Sequence, residues 1–580
     1  ARSAAVLTAR KAALFASEMT KNISNEFQKE IRLKTFRNKG FAPNRSARFA
    51  VRKVYLIKAR GVPHTVCVKK FLSSAVFLAV AGVAAKLIGA LHKLPLMGVL
   101  GAEGTGLYQL VFPMYAVVIA VASGGITQAV SRAAAREGGD GRTSLKAGIA
   151  LTAVSGCAGS LFLALAGGML ARAQGNADAA SAYLALAPAV APACIAAALH
   201  GWWQGRRNMF PTAASRLVEQ TVKLFVGLAL AHALMPSGVE KAVAGAVLGV
   251  TAGELAAAAS LAAGTVFAVR GKKSRAPLRP MLRAVGTDAL PGAFSSAVMP
   301  LLQLADSLLI VNILVGCGLE PSQATALYGV ATAPVGAIAS LPPVFTMAGA
   351  SALLPLLCAS EDDAERKRAT GNALSAAVLA GGAGGALMYV FPSEILSVIY
   401  PSATGAAISA AADVLRLSAP GVLHLCLIQT ITAVLQAKGR SFVPALVLLG
   451  AGAVRIALTV ALVPHMGVAG SAAATSAGYA LALAADAFAA RKELAGSLNA
   501  ADVFKTAAAI AAGSGAGTLA LGLLHGSGIF AAAVGSGVFA LGALLVIVAS
   551  DAFSVNAFLL RKLKEIKLFS SRSAKKSKKY

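Results

Sequence analysis

From residue 71 onward the sequence is a succession of apolar runs, each about 20 residues or longer, separated by short polar connections. In hydrocarbon every backbone amide and carbonyl needs an internal partner, so runs of this length fold as helices; barrel strands would alternate over about 10 residues. The chain is therefore expected to be an all-α polytopic membrane protein. Fourteen spans are predicted: 72–99, 107–131, 146–171, 181–202, 212–234, 240–269, 285–316, 323–357, 372–392, 405–436, 441–463, 467–490, 503–524 and 528–559. Several of these windows exceed one bilayer thickness, which implies tilt or kinks. Charged residues make up 13% of the chain, about half the share in soluble domains.

The formal charge of +30 is mostly terminal. Residues 1–70 hold 17 Lys/Arg against 3 Glu, and residues 561–580 hold nine against one. A basic tail beside a membrane anchors to anionic lipid, so no nucleic-acid partner is expected. Residues 1–70 lack an apolar core for a signal peptide. They read as a disordered extension or an upstream start, with Val68-Lys69-Lys70-Phe71 as the expected beginning of the membrane protein. Between spans, the even-numbered connections and flanking helix ends carry 20 Lys/Arg, while the odd-numbered ones offer Lys93, Arg172 and Lys241. The positive-inside rule then places both termini and the even connections in the cytoplasm of a multi-pass cell-membrane protein.

The longest strongly basic connection, 271–284, carries two prolines and separates two sets of six spans. The expected organisation is an N-lobe at 71–270, this linker, a C-lobe at 285–490, two further spans within 491–560 and a basic tail at 561–580. Paired six-helix lobes suit an alternating-access carrier. The cysteines Cys67, Cys157, Cys194, Cys317, Cys358 and Cys426 are scattered and point to neither a metal site nor a disulfide framework.

Ionisable side chains within spans are few: Lys86, Glu219, Lys223, Glu254, Asp306, Asp413, His424, Arg455 and Asp486. A mid-span charge costs about 2.5–3.5 kcal/mol on insertion scales and is kept where it faces a bundle interior or a cavity. Lys86 is the first functional candidate, with Lys93 and Arg132 at span ends. Glu219 and Lys223, four apart on one helical face, are expected to neutralise each other. Asp306 follows Gln303 by one turn on a span expected to be broken by Pro291 and Pro300. Arg455 is expected to pair with an acid of the other lobe, and His424 to be a satisfied buried histidine. Glu103, in the turn Gly101-Ala102-Glu103-Gly104-Thr105-Gly106, reads as a gate or a solvated turn residue. Pro113, Pro188, Pro192, Pro334, Pro342 and Pro343 mark further kink points. No His-Glu-x-x-His, Gly-x-Ser-x-Gly or P-loop pattern is present, which argues for a transporter rather than an enzyme.

Lys86-Leu-Ile-Gly-Ala-Leu-His-Lys93, the Gly-Ala-Glu-Gly turn and Gly106-Leu-Tyr-Gln-Leu-Val-Phe-Pro-Met-Tyr115 resemble the first two helices of the stage V sporulation protein B group. That group belongs to the oligosaccharidyl-lipid (MOP, MATE-like) flippase superfamily, with the lipid II flippase MurJ and the multidrug exporters. Gly201-Trp202-Trp203-Gln204-Gly205-Arg206-Arg207, Glu219-Gln220, Leu290-Pro291-Gly292, Leu302-Gln-Leu-Ala-Asp306 and Ala324-Thr-Ala-Leu-Tyr-Gly329 extend the resemblance over about residues 68–550. Lysines stand at 86 and 93 where the group's pattern has arginines, keeping charge but not the bidentate fork.

The resemblance implies a flippase moving an undecaprenyl-pyrophosphate-linked saccharide, a lipid II or polysaccharide precursor, between leaflets. Its substrate contacts would be Lys86, Lys93, Arg132, Glu219, Lys223, Gln303 and Asp306, with Glu103 as gate. No cofactor is expected, and coupling to Na+, H+ or membrane potential is left open. Partners would be the lipid-linked oligosaccharide, the bilayer, and enzymes of cell-wall or polysaccharide synthesis, with a place in sporulation implied by the group. The alternatives are a cation-coupled multidrug exporter of the same superfamily and an integral-membrane saccharide polymerase or ligase.

Overall fold

The computed structural model describes residues 64–523, save 138–140, 270–276, 361, 400–404, 441 and 498–499, together with residue 537. The side chains of 64–87 and 90–94 lie outside that description, as do residues 1–63, the expected fourteenth span and the C-terminal tail. Two compact units divide the chain, Ala1–Lys70 and Phe71–Tyr580. In the first, the described residues 64–70 are helical. The second holds the membrane bundle.

Among the described residues the structure is helical throughout, with no strand. Ten helices are long and apolar enough to cross a membrane, or eleven with one bent pair taken together, and the protein is a multi-pass membrane protein. These eleven coincide with expected spans two to twelve. The first expected span lies in the backbone of α1 (His64–Ser123), and the thirteenth is α18 (Ala500–Leu523), whose apolar stretch Ala507–Ala520 is shorter. Large apolar side chains such as Leu165, 78% exposed, and Phe225, 67% exposed, stand on the bundle's outer surface, where lipid rather than water is their natural neighbour.

The expected six-residue turn between spans one and two contracts to a single residue. Gly101 has φ 67° and ψ −171°, while Ala102 to Gly106 are already helical. Only glycine takes that backbone conformation without a Cβ penalty. α2 (Ile126–Glu137) and α3 (Arg142–Ala173) follow. A 3₁₀ turn at Ala187–Ala189, carrying Pro188, divides α4 (Ala180–Leu186) from α5 (Val190–Gly205). α6 (Phe210–Leu234) and α7 (Val239–Ala268) complete the first set.

α8 (Leu278–Gly316) differs from expectation twice. It starts seven residues early, so the second half of the expected 271–284 linker is helix. It also runs unbroken through Pro291 and Pro300, because neighbouring helices can hold the freed carbonyls of an interior proline. The eighth span is the one that breaks. α9 (Pro321–Thr332), α10 (Pro334–Ala339) and α11 (Leu341–Ala359) are short pieces started by prolines, and the segments on either side of Ser340 meet at 45°. α12 (Asp363–Val390), α13 (Pro392–Ile399), α14 (Gly405–Ala437), α15 (Phe442–Met466), α16 (Val468–Ala489) and the single-turn α17 (Arg491–Leu494) follow.

The buried apolar residues gather into two principal cores. One joins α1, α3, α4, α5 and α7 around Leu107, Tyr183 and Val247. The other joins α8, α9, α10 and α12 to α16 around Val311, Leu396 and Leu415, and takes in Leu110 of α1. α1 thus belongs to both, and the space between the cores is where a polar ligand could enter.

Candidate functional site

A cavity of about 620 Å³ lies between α1 and α6 on one side and α8, α9, α10, α14 and α16 on the other. Its α1 wall is an aromatic ladder, because Tyr108, Phe112 and Tyr115 recur at helical spacing. Ring centroids are 4.7 Å apart for Tyr108 and Phe112 and 6.5 Å for Phe112 and Tyr115. Lys223 of α6 reaches into the cavity with its ammonium 5.3 Å from the centre of the Phe112 ring, a cation–π contact.

Lys223 does not pair with Glu219 as the four-residue spacing suggests. Glu219 instead receives Nη1 of Arg216 at 3.0 Å and Nε2 of Gln220 at 2.9 Å. Glu254 of α7 accepts from the Tyr115 hydroxyl at 3.4 Å. Lys223 therefore faces the cavity without an ion-pair partner among the described residues.

On the opposite wall Asp306 forms an ion pair with Arg455 of α15, whose Nη2 also donates to the Leu302 carbonyl at 3.1 Å. The arginine is 6% exposed, and its partner belongs to the same expected lobe, not the other one. The guanidinium compensates the Asp306 charge, although Asp306 Oδ1 is buried with no hydrogen bond. Gln303 lines the cavity and is exposed to it.

Five hydroxyls complete this wall. Thr332, Ser340, Ser418, Ser471 and Thr475 each donate to a backbone carbonyl three or four residues back. A hydroxyl has one proton to give and two lone pairs. With the proton committed to the backbone, each turns acceptor capacity toward the cavity.

Contacts between the two helix sets flank the cavity at two ends. At one end a Cβ on Gly106 of α1 would strike the Thr325 carbonyl of α9, and one on Gly329 would meet the Gly106 backbone. The chains touch there only because neither residue has a side chain. Asn176 donates to Thr325 Oγ1 at 3.0 Å, and Gln174 donates to the Leu110 carbonyl at 2.9 Å and to Ser307 Oγ at 3.0 Å. At the other end a Cβ on Gly125 would strike the Ala289 carbonyl and one on Gly292 the Gly125 backbone, and Arg132 lies 3.5 Å from the Asp288 carboxylate and donates to its carbonyl at 3.2 Å, both side chains being nearly half exposed.

The sequence-derived site is thus partly assembled. Lys223, Gln303 and Asp306 come together at the cavity. Arg132 is drawn off to Asp288 and Glu219 to Arg216, and neither lines it. Glu103 is half-buried two residues past the Gly101 break and away from the cavity wall. Lys86 and Lys93 lie on the α1 helix with side chains outside the described residues; Gly89, three residues past Lys86, faces the side chain of Gln220. His424 meets the Ser476 carbonyl at 3.3 Å, as a satisfied histidine should, and Asp413 pairs with Arg416 at 3.4 Å. The hydroxyl wall and the Gln174–Asn176 cluster escaped the sequence reading, since isolated Ser, Thr, Asn and Gln in apolar runs carry no distinguishing pattern.

The polysaccharide biosynthesis protein family matches residues 71–360. Stage V sporulation protein B of Bacillus subtilis (strain 168) is 26% identical over 439 residues, covering 71% of this chain and 82% of that relative. The uncharacterized membrane protein YabM of the same organism is 27% identical over 421 residues, 70% of this chain and 76% of the relative. Among solved structures, the lipid II flippase MurJ in an inward closed conformation superposes with a TM-score of 0.62 at 13% identity, over 84% of this chain and 99% of its own. An inward-facing multidrug resistance MATE family transporter of the MOP superfamily gives 0.60 at 15% identity, over 72% and 98%. At these identities the structures speak for the fold alone.

Proposed function

This chain belongs to the polysaccharide biosynthesis protein family of MOP-superfamily flippases, and from that premise we propose that it moves an undecaprenyl-pyrophosphate-linked saccharide across the cytoplasmic membrane by alternating access. The observation that carries the reading is the division of labour in the cavity. Lys223 stands unpaired on one wall, while the opposite wall offers five acceptor hydroxyls and a carboxylate neutralised by Arg455. A phosphate group fits the first wall, and sugar hydroxyls, which are donors, fit the second. A volume of about 620 Å³ is within the range that holds a small polar headgroup, about 300–1,000 Å³. The lipid tail would stay in the bilayer.

Lys86 and Lys93 would add positive charge from α1, Lys86 being close along the helix to the Gly89–Gln220 contact. Arg132 would act on the opening of its end of the cavity instead of on substrate. With no nucleotide motif in the sequence, transport would draw on Na+, H+, the membrane potential or the substrate gradient, and no bond is made or broken. The basic even-numbered connections would face the cytoplasm, and cell-wall or polysaccharide synthesis enzymes would supply the substrate.

A cation-coupled drug exporter is the second reading, favoured by Glu254 and Glu219 beside Lys223. It is the weaker one, because Glu219 and Asp306 each already hold an arginine.

The test is reconstitution in liposomes with a fluorescent undecaprenyl-pyrophosphate sugar and a leaflet-accessibility assay. Translocation that falls at least about ten-fold in Lys223→Ala and in Lys86→Ala, at unchanged expression, is the expected result; loss of a single charge contact of 1.5–3 kcal/mol gives that factor. Proton- or sodium-driven efflux of a cationic dye, with no translocation of the lipid, would move the protein to the exporter reading.

A further inference from the structure

A second cavity, of about 460 Å³, opens where four helix ends meet: the last turns of α11 and α14, the first turns of α12, and α17. It belongs to the same end of the bundle as the basic connections and is separate from the transport cavity. Lys367, Lys438 and Lys492 line it, together with Arg366, Asp363 and Glu493. Arg366 is already engaged, with Asp363 at 3.2 Å and with the Ser360 carbonyl through Nε at 2.8 Å. The three lysines are exposed and have no ion-pair partner among the described residues. Glu493, by contrast, has Oε2 buried and without a hydrogen bond.

Below these charges the cavity floor is apolar. Leu357 and Val434 line it, and they are part of a small core with Leu353 and Ala433 between α11 and α14. The arrangement is graded from hydrocarbon to charge, as a bilayer is. A free phosphate would use the lysines and leave both the floor and Glu493 unmatched. A headgroup bearing phosphate and a primary ammonium, on a lipid tail, would match all three.

We propose that this pocket binds a membrane phospholipid whose headgroup carries a phosphate and an ammonium, the phosphate held by Lys367, Lys438 and Lys492, the ammonium by Glu493, and an acyl chain on Leu357 and Val434. Basic pockets between transmembrane helices are a recurring way of holding phosphate headgroups. The pocket ties three spans and α17 together through a lipid, so its occupant acts as a structural ligand of the second helix set.

The experiment is native mass spectrometry of the full-length protein in detergent, titrated separately with phosphatidylethanolamine, phosphatidylglycerol and inorganic phosphate. Retention of phosphatidylethanolamine above phosphatidylglycerol is expected. It should fall roughly 100-fold in a Lys367→Gln/Lys438→Gln/Lys492→Gln protein, taking each lysine as a comparable share of the headgroup attraction. Glu493→Gln should abolish the preference while phosphatidylglycerol still binds. Lys241→Gln, an exposed lysine elsewhere, should change nothing. Neutral substitution of exposed side chains leaves the fold intact, and Lys492→Gln alone gives a graded check. Equal lipid retention by the triple variant, a preference untouched by Glu493→Gln, or displacement of the lipid by inorganic phosphate would each overturn the assignment.

Discussion

The pair formed by Asp306 and Arg455 shows how a charge becomes tolerable inside a membrane bundle. Each was visible in the sequence as an intramembrane charge, but 149 positions separate them, and nothing local says that they meet. Removing one partner leaves the other buried and uncompensated, a loss of about 3–5 kcal/mol for such pairs. Arg455→Leu should therefore lower the thermal unfolding temperature in detergent sharply, while Arg455→Leu with Asp306→Leu should recover most of it. A double variant no better than the single one would mean that the pair is not what stabilises α8 against α15. The same logic explains why Arg132 and Glu219 misled the sequence reading. Both were singled out as charges near spans, but Asp288 lies 156 positions from Arg132 and Arg216 reads as one of the basic side chains flanking a connection, so their capacity to neutralise was not visible.

Among the elements, α1 carries the most information. Its hydropathy announced two spans and its Gly-rich stretch announced a turn, yet the break rests on Gly101 alone while Gly106 has a different duty, closeness to α9. Sequence pattern cannot separate those roles, because both appear simply as glycine in a short polar stretch. They separate by substitution. Gly101→Ala forces an L residue into a left-handed conformation at about 1–2 kcal/mol, and should lower stability by that amount with the helix crossing preserved. Gly329→Val should instead hold α9 off α1. A cysteine placed at Thr332, on the cavity wall, should then react faster with a water-soluble thiol reagent in a background without the native cysteines. Unchanged labelling would show that this crossing does not control access. The spans themselves were legible because desolvation of the backbone is a one-dimensional constraint. The eighth was not, since four prolines among apolar residues are compatible with one kinked helix or with the three short helices that form.

For the whole molecule, the two helix sets touch at two ends, and glycines bring the backbones together at both. Linking Asn176→Cys to Thr325→Cys, whose native side chains touch at 3.0 Å, should stop lipid translocation until a reductant is added, again in a background without the native cysteines. Transport that continues through the cross-link would exclude opening at that end. The Gly106–Gly329 end is held by backbone contact and neutral hydrogen bonds, and holds no ion pair in its clasp. The other end adds the half-exposed pair of Arg132 and Asp288 to a backbone contact of its own, Gly125 against Ala289 and Gly292. Dissolved salt screens that pair within a Debye length of about 8 Å at physiological strength and leaves the backbone contacts of either end untouched. Ionic strength is therefore expected to trim one end by the share of that pair alone, while the glycine contacts at both ends keep their grip in any buffer.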